Sequence, residues 1–178
     1  MFSTTCKIGE GLAIMGRQVR ENSAVTESGL VAGNGARAGS GNAFFARARV
    51  TDSDLCPCGG GLYGQCCGPL HRGEREAVTA AELMSARYSA YAAHEADYIW
   101  RTWHPRYRPE VINVDDGVEW EGLTIINAVD GGEDDREGIV EFEAAFHDHD
   151  GVGTMHERSR FVRRARRWVY VDGEVTYS

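Results

Sequence analysis

Cys56-Pro57-Cys58-Gly59-Gly60-Gly61-Leu62-Tyr63-Gly64-Gln65-Cys66-Cys67-Gly68-Pro69 places four of the chain's five cysteines within twelve residues, around a glycine-rich turn. No secretory signal precedes them: Ser3 to Met15 holds Lys7, Glu10 and two glycines where an apolar core should be. Without an oxidising compartment a disulfide framework has little support, and the expected location is the cytoplasm. Cys56–Cys58 and Cys66–Cys67 bridges would also close small, strained rings. Metal binding explains the spacing better. A Cys-x-Cys pair and a Cys-Cys pair, joined by flexible glycines, can set four sulfurs at the corners of one tetrahedron, the way structural zinc is held at about 2.3 Å per sulfur. The leading expectation is zinc on Cys56, Cys58, Cys66 and Cys67. His71, four residues past Cys67, is an alternative fourth ligand, and free thiols or another metal are the remaining readings.

Beyond this knot the periodicity is first helical. Thr79-Ala80-Ala81-Glu82 is a capping box. Ala80, Leu83, Met84, Tyr88, Tyr91 and Ala92 recur mostly at three- and four-residue steps and predict one apolar face, with Arg87 the odd residue beside it. A second helix is predicted from Asp97 to Trp103. Asp97 is read as its N-cap, Ile99 and Trp103 lie one turn apart, and Pro105 enforces the stop. After Pro109 the pattern becomes that of strands. Val118-Glu119-Trp120-Glu121 precedes Leu123-Thr124-Ile125-Ile126. Val140, Phe142, Ala144 and Phe146 alternate with Glu141, Glu143, Ala145 and His147, and Phe161-Val162 leads through a hairpin to Trp168-Val169-Tyr170-Val171. Asp130-Gly131-Gly132 and Asp148-His149-Asp150-Gly151 are turns. Helices followed by a run of antiparallel strands predict an α+β fold.

The cysteine stretch resembles a SEC-C motif, the zinc knuckle also found at the C-terminus of the SecA translocation ATPase. Leu83-Met84-Ser85-Ala86-Arg87-Tyr88-Ser89-Ala90-Tyr91, Asp97-Tyr98, Thr102-Trp103-His104-Pro105, Trp120-Glu121-Gly122-Leu123, Glu157-Arg158-Ser159-Arg160-Phe161 and Trp168-Val169-Tyr170-Val171-Asp172-Gly173 together resemble the YchJ family, over about Leu55 to Gly173. The resemblance implies a SEC-C knuckle over 51–75 and, over 76–178, a domain similar to nuclear transport factor 2. Such a domain is a cone, with N-terminal helices packed on a curved antiparallel sheet. Two departures stand out. Seven residues, Gly59 to Gln65, separate the second and third cysteines where the motif usually has eight, and His94-Glu95 replaces a common Gly-Asp between the helices.

If the cone holds a pocket, its candidate lining is Arg87, Tyr88, Tyr91, Trp103, His104 and Trp120, with His104, Asp97 and Glu157 as acid–base groups. Each has a blander reading: Asp97 as a cap, His104 as a helix-end group, the aromatics as core, and Glu157–Arg160 as a cross-strand ion pair. No Ser/His/Asp spacing or phosphate loop is present. Arg158, Arg160, Arg163, Arg164, Arg166 and Arg167 crowd the last hairpin, either keeping an edge soluble or forming an RNA or anion patch. The favoured function is a non-enzymatic, zinc-stabilised interaction protein that docks a protein or ribosomal partner through the knuckle. A small-molecule-binding or catalytic cone is the alternative, RNA binding the weaker one, and sheet faces of such cones also form homodimers.

The chain carries −8 overall, yet residues 1–50 carry Lys7 and five arginines against three glutamates, a net +3. The acidic remainder argues against bulk coating of nucleic acid, and no apolar run reaches the roughly 20 residues that span a bilayer. Five glycines between Ser28 and Asn42, without apolar periodicity, predict a disordered tail; the other reading puts the natural start near Val50. Deleting residues 1–49 is therefore expected to lower the melting temperature by less than about 4 °C, roughly 1 kcal/mol for a domain of this size. Calorimetry of the full and shortened chains checks this.

Overall fold

The computed structural model describes residues 49–178. The predicted tail, with Cys6, lies outside the described residues apart from Arg49 and Val50. A 3₁₀ turn at Tyr63–Gln65 and a short helix α1, Gly68–His71, begin the fold. Helix α2 spans Ala80–Ala92 and opens as a capping box: the Thr79 hydroxyl accepts the Glu82 N–H at 3.1 Å. Glu82 reaches back one residue beyond the cap, accepting the Val78 N–H at 2.6 Å, while its other oxygen pairs with Arg75 at 2.6 Å. The helix closes on a left-handed residue. His94, φ 59°, donates to the Tyr91 carbonyl and Glu95 to that of Ala90, so the chain keeps a turn that suits glycine while placing histidine there.

Helix α3, Ala96–Arg101, is shorter than predicted. Its N-cap is Glu95, with no side-chain cap, and Asp97 sits in the first turn instead. It ends early because the following residues pair with the sheet. The Tyr170 N–H donates to the Thr102 carbonyl at 2.9 Å and the His104 N–H to the Tyr170 carbonyl at 2.7 Å, around a parallel bridge between Trp103 and Tyr170.

Four strands follow: β1 Glu119–Asp130, β2 Glu137–Asp148, β3 Gly151–Arg164 and β4 Arg167–Tyr177. They form one antiparallel meander in the order β1-β2-β3-β4. Register shifts at Trp120/Gly122, Ile125/Asn127 and Arg160/Phe161 bend the sheet. The expected α+β cone is thus the fold. Among the described residues no helix is long and apolar enough to cross a membrane. The β3–β4 hairpin turns on Ala165 and Arg166, both at positive φ (47° and 66°).

Val140, Phe142, Ala144, Met155, Phe161 and Tyr170 line the concave face and are fully buried. Helix α2 lies over them, but it does not present a single apolar face as predicted. Ala86, Ser89 and Ala90 on its other side are also fully buried, because the cysteine segment packs there. Arg87 is fully buried too. Its Nη1 donates to the Ile99 carbonyl (2.9 Å) and the Thr102 hydroxyl (2.8 Å) at the end of α3. Its guanidinium lies 4.8 Å from the Tyr170 ring and 5.1 Å from that of Trp103. Carbonyl, hydroxyl and rings thus serve in place of a carboxylate: neither Asp97 nor Glu157 bonds to Arg87 directly.

Glu157 is fully buried, and its Oε1 accepts from the hydroxyls of Ser159 (2.6 Å) and Tyr170 (3.0 Å). A Cβ at residue 173 would collide with this carboxylate, so Gly173 gives it room. The expected Glu157–Arg160 pair is not formed, since the two side chains leave β3 on opposite faces; Arg160 grips Asp172 through two bonds of 3.0 and 2.6 Å.

Two outcomes are expected. A type I′ turn prefers Asn-Gly, and each non-glycine left-handed residue costs about 1 kcal/mol, so Ala165→Asn with Arg166→Gly should raise the melting temperature by about 3–6 °C. Burial pushes the Glu157 carboxyl up to about 7 from 4.5, outweighing Ser159, Tyr170 and Arg87. A raised native pKa stabilises fully below the unfolded value and is lost as pH rises through the native one. From pH 4.5 to 7 wild type should therefore lose roughly 3 kcal/mol relative to Glu157→Gln, read from urea melts across that range.

Candidate functional site

The four clustered cysteines converge. Cys58 Sγ lies 3.4 Å from Cys56, 3.5 Å from Cys66 and 3.6 Å from Cys67, and the Cys66 and Cys67 sulfurs are 3.8 Å apart. All four sulfurs lie within 4.8 Å of one another. The local sequence explains this convergence. The Cys56 N–H donates to the Gly61 carbonyl at 2.7 Å, folding the glycine run back, and the Cys66 N–H donates to the Tyr63 carbonyl at 3.1 Å. Pro69 in the first turn of α1 then starts the helix directly after Cys67. At residue 60 a Cβ would fall 2.7 Å from Cys66 Sγ and 3.4 Å from Cys58 Sγ, so only glycine lets the backbone close over the sulfurs. Hydrogen bonds from Cys58 and Cys67 hold the Cys56 thiol well below its usual pKa, whereas burial pushes Cys66 up to about 12 and the bonds to Cys56 and Cys58 push Cys67 up. Bringing all four to thiolates requires a cation among them. The donor set and its spacing fit a metal ion.

His71 is not a fourth ligand. Its Nδ1 lies 2.8 Å from the Tyr63 hydroxyl and its Nε2 2.8 Å from the Ala86 carbonyl. A carbonyl only accepts, so Nε2 bears the proton and Nδ1 receives that of Tyr63. Burial lowers its pKa to about 4, keeping the ring neutral. His71 instead fastens the knuckle to helix α2. Cys56 Sγ adds a contact to the Ser89 hydroxyl at 3.4 Å, and Cys67 Sγ lies 3.8 Å from the Ser85 carbonyl. Arg101 ties the other flank, donating from Nη2 to the Leu70 (2.9 Å) and His71 (2.6 Å) carbonyls.

The candidate pocket residues do not converge on one cavity. Arg87, Tyr88, Tyr91 and Trp103 lie in the core. His104 is half-buried beyond α3, with Nδ1 accepting the Arg106 N–H at 3.3 Å and Nε2 lying 3.4 Å from Arg164 Nη1. Of the six, Trp120 lines a cavity of about 270 Å³, together with Asp116, Phe146, Asp148, Asp150 and Tyr177. Those neighbours escaped the sequence reading because only the hairpin register sets Phe146 against Trp120. The alternation that placed Phe146 on the core face was the one available signal. Among the described residues three of the six hairpin arginines are held by acceptors: Arg160 by Asp172, Arg163 by the Val78 carbonyl at 3.0 Å, and Arg167 by Glu76 at 3.0 Å.

Known proteins share this arrangement. A family model described as "YchJ, middle NTF2-like domain" matches residues 79–173. The chain is 45% identical over 120 residues to the UPF0225 protein SCO1677 of Streptomyces coelicolor, covering 67% of this chain and 94% of that protein. It is 49% identical over 119 residues to a UPF0225 protein of Deinococcus radiodurans, covering 66% and 86%. The solution structure of RPA3114, a SEC-C motif containing protein from Rhodopseudomonas palustris, matches with a TM-score of 0.60 at 33% identity, covering 68% of this chain and 98% of that one. The crystal structure of a SEC-C motif containing protein from Psychrobacter arcticus matches with a TM-score of 0.58 at 28% identity, covering 71% and 85%. With a SEC-C-like cluster of four cysteines seated on a nuclear transport factor 2-like cone, the chain belongs to the YchJ family.

Proposed function

We propose that the chain is a zinc-dependent docking protein whose knuckle engages a protein partner in the cytoplasm. The sulfur spacing carries the metal reading. Four sulfurs at about 2.3 Å from a tetrahedral zinc stand about 3.8 Å from one another, and the separations among Cys58, its three partners and the Cys66–Cys67 pair run from 3.4 to 3.8 Å. Cys56, Cys58, Cys66 and Cys67 would hold the ion, which supplies charge neutralisation and cross-linking. Four sulfurs leave no position open for water or substrate, so the role is structural rather than catalytic.

The outer side of the knuckle supports the docking reading. Leu55 and Leu62 pair as an isolated antiparallel bridge, yet are 79% and 41% exposed. Two neighbouring leucines in solvent, on a scaffold this rigid, suit a partner with a matching apolar segment. A ribosome-associated protein is one such partner.

Protein purified without chelator should contain close to one zinc per chain, and Cys58→Ser should lose it. Metal-free protein with four titratable thiols in the knuckle would overturn the zinc assignment. Leu55→Ser with Leu62→Ser should keep the metal and melt within about 3 °C of wild type. Partners captured by wild type should be absent from both this variant and Cys56→Ser with Cys58→Ser. Equal capture by all three proteins would overturn docking through the knuckle.

A further inference from the structure

We propose that residues 100–108 and the tip of the β3–β4 hairpin together form a binding surface for single-stranded RNA, with His104 and Arg164 clamping a phosphate and Tyr107 stacking a base. This is independent of the knuckle and of its metal.

Trp100-Arg101-Thr102-Trp103-His104-Pro105-Arg106-Tyr107-Arg108 carries three arginines and no carboxylate. Thr102 and Trp103 are buried, while Trp100, Arg101, Arg106 and Tyr107 stay exposed. Past the end of α3 the chain makes one further turn, in which the Tyr107 and Arg108 N–H groups both donate to the His104 carbonyl, at 2.9 and 3.1 Å. That turn gathers the side chains. The Arg108 guanidinium lies 3.2 Å over the Trp100 ring, the His104 and Tyr107 ring centroids are 5.2 Å apart, and the Arg106 guanidinium is 5.9 Å from the Tyr107 ring. The hairpin tip comes against the same turn, setting Arg164 Nη1 3.4 Å from His104 Nε2. Arg166, exposed, follows at the tip.

The contact between Arg164 and His104 points to an anion. A neutral imidazole bears one proton. His104 Nδ1 accepts the Arg106 N–H at 3.3 Å, so the proton sits on Nε2, facing a guanidinium that can only donate. Burial and the charges of Arg164 and Arg106 lower the His104 pKa, which keeps the ring neutral. Two donors thus converge at the surface, and a phosphate oxygen accepts from both. Neighbouring carboxylates are already spent, Asp172 on Arg160 and Glu76 on Arg167. Among the described residues Arg106, Arg164 and Arg166 form no ion pair.

The rings decide which anion. Tyr107 is 50% exposed and Trp100 43%. An acidic peptide would satisfy the cations but offers no flat surface to the rings, whereas nucleobases stack on aromatic side chains and on guanidinium planes. A duplex hides its base faces, so the occupant is single-stranded, and RNA displays unpaired bases in its loops and ends. The chain's net charge of −8 confines such binding to a local patch.

Fluorescein-labelled oligouridine, which has no secondary structure, tests this when it is titrated into the full chain and followed by anisotropy. Saturable binding at low salt is expected, at least about tenfold tighter than a competing double-stranded RNA of the same length or an oligoglutamate of the same charge. Tyr107→Leu should weaken it at least about fivefold without changing its salt dependence, and Tyr107→Phe should bind as wild type does. Arg164→Gln and Arg166→Gln should each weaken binding and flatten the slope of log affinity against log salt by about 0.7. All these positions are exposed, so the variants should melt with wild type. No saturable binding, a duplex that competes equally, or unchanged affinity in Tyr107→Leu overturns the proposal. So does an oligoglutamate that binds as tightly as the RNA, which makes the partner an acidic protein.

Discussion

The fold depends on one constraint: helix α2 is buried on both of its sides. Toward the sheet it sends large side chains, Met84, Tyr88 and Tyr91, onto the concave face. Toward the knuckle it offers the small residues Ser85, Ala86, Ser89 and Ala90, which let His71 reach the Ala86 backbone carbonyl and Cys56 touch the Ser89 hydroxyl. A larger residue at position 86 would push α1 away and pull the sulfurs apart, since Cys67 directly precedes that helix. The geometry of the cysteine cluster is therefore set by the absence of bulk on a helix some twenty residues downstream.

Arg87 does for the opposite side what His71 does for this one. It projects from α2 to the end of α3, where the carbonyls of a helix are short of donors and favour a positive charge. Tyr170 and Trp103 close over it. Because Trp103 then continues into a parallel bridge with Tyr170, one buried cation joins both helices and the last strand. Arg87 and Glu157 share this interior without a direct ion pair. Their charges still lower each other's cost, Arg87 being among the groups that pull the Glu157 carboxyl back toward ionisation.

Much of this was legible in the chain itself. The capping box, the alternation of Val140, Phe142, Ala144 and Phe146, and the cysteine spacing each name their structure because the physics is local: a hydroxyl near free amides, a two-residue pleat, four sulfurs around a flexible turn. What failed was non-local. Periodicity counts apolar residues, so Ala86 and Ser89 did not register as a face, and α2 read as one-sided. Asp97 read as a cap because nothing local distinguishes a cap from a first-turn acid. Arg87 stands out as anomalous in the sequence, but its partners are a carbonyl, a hydroxyl and two rings that belong to other elements. His71 read as a spare ligand because imidazole is one by chemistry, and only the positions of Tyr63 and Ala86 show that both of its nitrogens are spent.

The shared use of helix α2 bears on modularity. A SEC-C motif is readily pictured as a bead on a string, to be gained, lost or grafted without consequence for its neighbour. Here the boundary that sequence places near residue 75 divides two motifs but runs through one interior: Leu70 and His71 from one side meet Ala86, Tyr98 and Ala90 from the other. Stripped of the knuckle, the cone would show water a stripe of small apolar residues and the face of Tyr98. Stripped of the cone, the knuckle would lose the acceptor for His71. Knuckle and cone are therefore expected to unfold in a single transition, and a cone that discarded its cysteines would need larger residues on α2 beneath them.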